Sequence, residues 1–117
     1  MWTIDTSLVD LRLTAKFSKL HRQEYDSCFA NLEKVLVMLR QGIAFTSLGA
    51  GFLHAEGYKL SAISQTPHKG RHETRLYFTV VEDTQTIFVL GIGSKAEQRK
   101  DLRKYSDMIA YLHPSQD

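Results

Sequence analysis

Apolar residues recur at intervals of three and four between Tyr25 and Leu39, which is the spacing of one face of an α-helix. Charged residues lie off this stripe. Gly42 follows two polar residues and suits a C-terminal cap, because glycine adopts the left-handed conformation that ends many helices. The pattern predicts a helix from about Gln23 to Gln41 that buries one face in the core.

The first twenty residues fit two structures. Apolar and polar residues alternate from Val9 to Phe17, which is the spacing of a strand. Phe17 and Leu20 could equally begin a helix. Further along, four glycines between residues 42 and 57 predict a loop over 43–57, and a strand is predicted from Tyr58 to Gln65 with Leu60 and Ala62 facing inward.

A β-hairpin is predicted near the middle of the second half. Thr74 to Val81 alternates apolar and polar residues, Thr86 to Ile92 is mostly β-branched or apolar, and four polar residues lie between the two runs. Successive side chains of a strand point to opposite faces. We therefore expect Arg75 and Tyr77 to share the open face of the sheet, opposite the face that packs on a helix.

A helix is predicted after this hairpin. Ser94 and Glu97 have the spacing of a capping box, Pro114 ends the segment, and one face of the helix is apolar: Leu102, Tyr105, Ile109 and Leu112. The fold class predicted is α+β, with an N-terminal helical segment packed on a small antiparallel sheet and a C-terminal helix. A chain of 117 residues suits a single domain spanning 1–117.

The composition narrows the class of protein. The single cysteine, Cys28, allows no internal disulfide and no cysteine-based zinc site. No apolar run approaches the roughly 20 residues of a membrane span, so we expect a cytoplasmic protein without a membrane partner. No metal-ligand motif and no glycine-rich phosphate loop is present, and the sequence predicts no cofactor and no metal.

Charge singles out one segment. The net charge is only +2, but residues 68–104 carry an excess of basic side chains, which could guide a polyanion. A guanidinium such as Arg75 binds phosphate through paired N–H groups, and a phenol such as Tyr77 can donate to phosphate or stack on a base. Near this strand the other candidate catalytic or binding residues are His68, Lys69, Arg71, His72, Lys95, Gln98 and Arg99. An ordinary solvated surface explains the same residues, and this alternative stays open.

The runs "TRLYFTV" and "TIFVLGIGSKAEQ" resemble the RelE/ParE superfamily of bacterial toxins. Members of that family pack an N-terminal helical hairpin on a small antiparallel sheet. The resemblance covers about Gln23 to Asp101, and it implies a metal-independent endonuclease that cleaves mRNA on the ribosome. Its implied partners are an antitoxin protein and that mRNA, and a homodimer is possible.

The resemblance also implies roles for particular residues. Arg75 matches the phosphate-contacting arginine of the family, and Lys95 matches the basic residue after the last strand. Tyr77, His72, His68 and Gln98 are candidates by position. His72 or Glu73 would take the proton of the RNA 2′-OH, while Arg75 and Lys95 would stabilise the charge that develops on phosphorus.

Two other functions remain open. The nearest tyrosine after Lys95 is Tyr105, inside a predicted helix, whereas many RelE-like toxins carry a histidine and a tyrosine close to that basic segment. One is a ParE-like gyrase inhibitor without catalytic activity. The other is a phage or plasmid accessory protein that only binds other proteins. Neither function would need that histidine or that tyrosine. The nuclease hypothesis requires Arg75 and Lys95 to converge on one solvent-facing concavity. If the two groups lie on opposite sides of the molecule, or if either is buried in an internal ion pair, only the fold prediction is left standing.

Overall fold

A computed structural model describes residues 1–66 and 72–114, without the side chains of Gln98 and Arg99. The strands and helices follow in this order: β1 (Thr3–Asp5), α1 (Leu11–Leu20), α2 (Arg22–Arg40), β2 (Leu53–Gly57), β3 (Leu60–Ser64), β4 (Thr74–Val81), β5 (Thr86–Ser94) and α3 (Gln98–Leu112). Short 3₁₀ turns at Phe45–Ser47 and Lys95–Glu97 precede β2 and α3. None of the described helices is long and apolar enough to cross a bilayer.

The described strands form one mixed sheet in the order β1-β5-β4-β3-β2. The four strands from β2 to β5 form an antiparallel meander, and β1 pairs in parallel with β5 at one edge. The α+β fold class with a C-terminal helix is confirmed. The sheet is antiparallel as predicted except for β1, which the sequence analysis did not identify as a strand.

Helices cover both faces of the sheet. On one face, α2 packs Cys28, Leu32 and Val35 against apolar residues of the central strands, among them Leu76 and Phe78. On the other face, α3 packs Tyr105 and Ile109 against a second apolar cluster made of Leu60, Ala62, Tyr77 and Leu90. The sheet is therefore the middle layer of three.

Most of the predicted elements are confirmed. The helix predicted over 23–41 is α2, and Gly42 follows it with a φ of +89°. The hairpin has the predicted strands and a turn over 82–85, although β5 continues to Ser94. Leu60 and Ala62 are buried, as the strand prediction required.

Two expectations about the N-terminal half are corrected. The residues from Leu11 to Leu20 form a helix, so the strand alternative for Val9–Phe17 is wrong; Asp10 caps this helix by accepting a hydrogen bond from Leu13 N at 3.0 Å. The predicted loop over 43–57 contains β2. The alternation of apolar and polar residues in β2 fits a strand at the edge of the sheet. The glycines in and around this segment favoured a loop instead, and the prediction followed them.

The capping box is also wrong. Ser94 ends β5 opposite Thr74, a 3₁₀ turn follows, and Glu97 occupies the N-cap position of α3 without a side-chain capping bond. The apolar face predicted for α3 is confirmed, because Leu102, Tyr105, Ile109 and Leu112 all belong to the second apolar cluster.

The open face predicted for Arg75 and Tyr77 is not open. The two residues do share one face, but α3 lies on it, and Tyr77 and Arg75 are only 1% and 7% exposed. The physical reason is the apolar stripe of α3, which requires an apolar surface and finds it on this side of the sheet.

Candidate functional site

A polar cluster lies on the α3 face of the sheet, next to the apolar part of that face. Residues directly opposite each other in an antiparallel pair project to the same face. His54 pairs with Ala62 and Ser64 pairs with Arg75, so both pairs lie on the face of Tyr77. We define the polar cluster by six residues: His54, Glu56, Ser64, Glu73, Arg75 and Lys95.

Two cations of the polar cluster share one carboxylate oxygen. Arg75 Nη2 lies 3.3 Å from Glu73 Oε1, and Lys95 Nζ lies 3.5 Å from the same atom. The backbone helps to bring them together, because Lys95 N donates to the Glu73 carbonyl at 3.2 Å and extends the pairing of β4 with β5. Arg75 and Lys95 therefore lie close together, but they meet at a carboxylate of the chain itself. Arg75 is buried in internal ion pairs, which is the outcome that the sequence analysis set against the nuclease hypothesis.

Arg75 is more enclosed than the sequence analysis expected. Its side chain is 9% exposed, and its Nε lies 3.9 Å from Glu56 Oε1 in addition to the contact with Glu73. Arg75 Nη1 also donates to the Thr74 carbonyl at 3.3 Å. The two other members of the shared contact are open to solvent, since the side chains of Glu73 and Lys95 are 59% and 52% exposed. An anion that takes the position of the Glu73 carboxylate would contact Arg75 and Lys95 together.

His54 presents an uncharged imidazole to the polar cluster. Burial, together with the charge of Arg75, holds the pKa of His54 below its ordinary value of 6.5, despite the opposing effect of Glu56. The Ser64 hydroxyl donates to the Phe52 carbonyl at 3.4 Å, and it lies 3.0 Å from His54 Nε2. The direction of the hydrogen bond between Nε2 and Ser64 depends on the tautomer of His54, and the neutral ring has one nitrogen able to accept a proton.

An open cleft of about 480 Å³ adjoins the shared contact and is lined by five residues: His72, Glu73, Ser94, Lys95 and Ala96. Of the residues predicted from the sequence, His72 and Lys95 meet here. His72 is exposed, and its backbone N–H donates to Glu24 Oε2 at 3.2 Å. The cleft is open to solvent, which suits part of an extended ligand better than an enclosed small molecule.

Tyr77 lies outside the cleft. Its ring packs against Tyr105 with centroids 5.0 Å apart, and burial raises the pKa of its phenol to about 12. Among the described residues, the buried Tyr77 hydroxyl has no hydrogen-bond partner. The predicted contact of Tyr77 with a ligand on an open face is therefore not possible in this structure.

The remaining candidates cannot be compared with the structure. His68, Lys69 and Arg71 lie outside the described residues. Gln98 and Arg99 begin α3, but the structure does not describe their side chains. Their proposed contacts with RNA stay predictions.

The sequence analysis missed His54 and Glu56. Both lie in the segment interpreted as a loop, and a histidine and a glutamate two residues apart share a face only if that segment is a strand. The alternation of Leu53, Ala55 and Gly57 with these two polar residues was the signal available. Within the described residues, no group of three or more His, Cys, Asp and Glu side chains is arranged to hold a metal ion.

Searches of protein-family models, of curated proteins and of solved structures found no match to this chain.

Proposed function

We propose that this protein is an endonuclease that cleaves RNA by attack of a 2′-OH on the neighbouring phosphate, and that it is the toxin of a bacterial toxin–antitoxin pair. The observation that carries the proposal is the shared contact, in which Arg75 and Lys95 hold one carboxylate oxygen between them. A non-bridging phosphate oxygen is an anion of similar size and hydrogen-bonding capacity. It can replace that carboxylate oxygen and keep both cations.

The residues around this position supply the steps of the reaction. The 2′-oxygen forms a bond to phosphorus while the bond from phosphorus to the 5′-oxygen breaks. The leaving 5′-oxygen takes up a proton from the solvent to which the cleft is open, and the products are a 2′,3′-cyclic phosphate and a 5′-hydroxyl. The imidazole of His54 accepts the proton of the 2′-OH, since its lowered pKa keeps the ring neutral near pH 7. Arg75 and Lys95 offset the negative charge that grows on the phosphate oxygens. This is a change from the sequence-based assignment, in which His72 or Glu73 is the base.

Glu73 has a different part in this proposal. Its side chain is mostly exposed, so its carboxylate can rotate into solvent when a phosphate approaches. Arg75 is held in place by Glu56 and by the Thr74 carbonyl, and it needs no movement of its own. In this proposal the phosphate approaches Arg75 from the side of Glu73 and Lys95, whose side chains are open to solvent.

The toxin assignment rests on the resemblance to the RelE/ParE superfamily. That resemblance implies a helical hairpin packed on a small sheet, and α1 and α2 are consecutive helices beside such a sheet. The proposed substrate is mRNA on the ribosome, and the proposed inhibitor is an antitoxin protein.

The test is expression of the chain in bacteria, followed by mapping of the ends of cellular mRNA. The wild type is expected to arrest growth and to leave new 5′-hydroxyl ends in translated mRNA. Lys95→Ala and His54→Gln are expected to restore growth at equal protein levels, because each removes a group of the reaction and neither side chain belongs to an apolar core. Arg75→Ala is informative only if its melting temperature matches the wild type, since Arg75 is buried.

A harmless wild-type chain, or growth arrest with intact mRNA, would contradict the nuclease. The burial of Arg75 in ion pairs favours one alternative, a ParE-like gyrase inhibitor, because such a protein needs no accessible cation. For that function, mRNA stays intact, DNA supercoiling by gyrase is inhibited in vitro, and His54→Gln has no effect.

A further inference from the structure

Three aromatic side chains meet outside both apolar cores. The rings of His21 and His72 stack with centroids 4.2 Å apart and planes inclined by 15°. The Phe17 ring lies 4.9 Å from His21 and 6.2 Å from His72, at steeper angles. We call these three residues the aromatic stack. None of them is among the residues that form the two cores, so core packing does not account for the arrangement.

The backbone is anchored at both histidines of the aromatic stack. His21 lies between α1 and α2; its N–H donates to the Phe17 carbonyl at 2.8 Å, and its own carbonyl accepts from Tyr25 N at 2.9 Å. The backbone N–H of His72 donates to Glu24, a residue that is only 5% exposed. Rings that already pack on one another above an anchored backbone lose less conformational entropy when a further ring stacks on them.

The outer ring of the stack faces the proposed substrate. His72 is exposed and lines the same cleft as Lys95, whereas His21 and Phe17 are half-buried behind it. His72 also directly precedes Glu73, the residue whose carboxylate a phosphate would replace. A nucleobase of the nucleotide that carries this phosphate, or of the next nucleotide of the RNA, would thus enter the cleft that the His72 ring lines. The His72 ring is itself stacked on His21.

We propose that His72, supported by His21 and Phe17, is a stacking platform for one nucleobase of single-stranded RNA. This inference rests on the proposed function. Every base has a π-face, so a stacking ring binds without reading hydrogen-bond patterns and requires only that the base be unpaired. His72 is then a binding residue that positions the RNA strand over Arg75 and Lys95, and the proton transfer belongs to His54.

The test is a binding measurement with a short fluorescein-labelled single-stranded RNA whose 2′-hydroxyls are methylated, so that no cleavage occurs. His72→Ala is expected to weaken binding roughly ten-fold, the typical loss for one stacked base, and His72→Phe is expected to retain affinity. Tyr111→Ala is the matched control, because Tyr111 is an exposed aromatic residue (79%) that does not line the cleft.

A series of RNAs with one abasic site moved along the strand completes the test. For the wild type, removing the base at one position of the RNA is expected to weaken binding by the same factor as His72→Ala does. For the His72→Ala variant, removing the base at that position should weaken binding no further. Equal affinity of wild type and His72→Ala, or a His72→Phe variant as weak as His72→Ala, would overturn the platform while leaving the nuclease intact. RNA that binds with this pattern, together with intact mRNA in cells that express the chain, would overturn the nuclease alone. A wild-type chain that binds no single-stranded RNA would overturn the platform.

Discussion

At the residue scale, the main feature of this protein is a carboxylate that neutralises two cations. Exposed ion pairs contribute little to stability, typically about 0–1 kcal/mol, because water screens them. Glu73 is mostly exposed, so its contacts with Arg75 and Lys95 are a weak structural reason for the arrangement. Glu73 is better understood as an internal competitor for whatever anion binds at this position.

This view leads to an expectation for Glu73→Gln. The substitution keeps the shape of the side chain but leaves Arg75 and Lys95 without their shared negative charge. Binding of single-stranded RNA is expected to tighten about five-fold, which corresponds to about 1 kcal/mol for a half-exposed pair, and to depend more steeply on salt. Fluorescence anisotropy over a range of salt concentrations measures both effects.

The control for this substitution is Glu97→Gln, which removes the same charge from an exposed residue of the 3₁₀ turn before α3. If both variants tighten binding equally, the effect is one of net charge alone. If Glu73→Gln weakens binding, Glu73 contacts the ligand favourably and is no competitor.

Prediction of the site from the sequence succeeded where spacing along one strand was sufficient. The common face of Arg75 and Tyr77 follows from strand geometry, whereas the contact of Arg75 and Lys95 with one carboxylate oxygen is not specified by the sequence pattern. The enclosure of Arg75 by Glu56 required the pairing of β2 with β3, which no local pattern specifies. The stacking of His21 on His72 likewise depends on a contact between distant segments.

At the element scale, the close fit of α3 on the sheet depends on a glycine. A Cβ built on Gly91 would overlap the hydroxyl of Tyr105, which lies directly over this point of β5. A Cβ on Gly93, two residues along the same strand, meets no atom within 4 Å. The helix can therefore approach the sheet closely at one position and not at the other.

The expected result is that Gly91→Ala destabilises the protein by about 1–3 kcal/mol, the usual cost of forcing atoms into a packed core. Gly93→Ala should change the free energy of unfolding little. Adding Tyr105→Phe to Gly91→Ala removes the overlapping oxygen and is expected to recover part of the loss. Urea denaturation of the four proteins measures these effects, and equal stabilities of the two alanine variants would show that α3 packs differently.

Elements with a strong local pattern were predicted well, and those without one were not. The apolar stripes of α2 and α3 and the alternation of β4 are each long enough to identify the element. β1 has three residues, and it is a strand only because β5 provides a partner. The predicted helix α2 already covered one face of the sheet, and the apolar stripe of α3 also needed a partner. The sequence therefore contained a reason to place α3 on the face that was predicted to be open.

At the scale of the whole molecule, two histidines make stability depend on pH. Burial lowers the pKa of both His54 and His113 below their ordinary value of 6.5 in the folded protein. In the unfolded chain both bind protons as the pH falls through 6.5, while the folded protein resists protonation until a lower pH is reached. The unfolded state then holds more protons, so the free energy of unfolding decreases as the pH falls below 6.5.

Urea denaturation at pH values above and below 6.5 tests this expectation. The wild type should be less stable at the lower pH, and the double variant His54→Gln and His113→Gln should lose less stability over the same interval. His113 also contributes a contact at 2.9 Å from its Nε2 to Thr79 Oγ1, so the variant is compared with itself at the two pH values. An unfolding free energy that is unchanged or higher at the lower pH would contradict the lowered pKa values.

The parallel pairing of β1 with β5 has a consequence for the order of folding. Thr3 pairs with Thr86, so β1 finds its neighbour only in a strand far along the sequence. Until that pairing forms, the edge of β5 that β1 covers stays unpaired. Closing so long a loop is slow in comparison with forming local contacts. The pairing of β1 with β5 is therefore expected to form late in folding, after the helices and the hairpin.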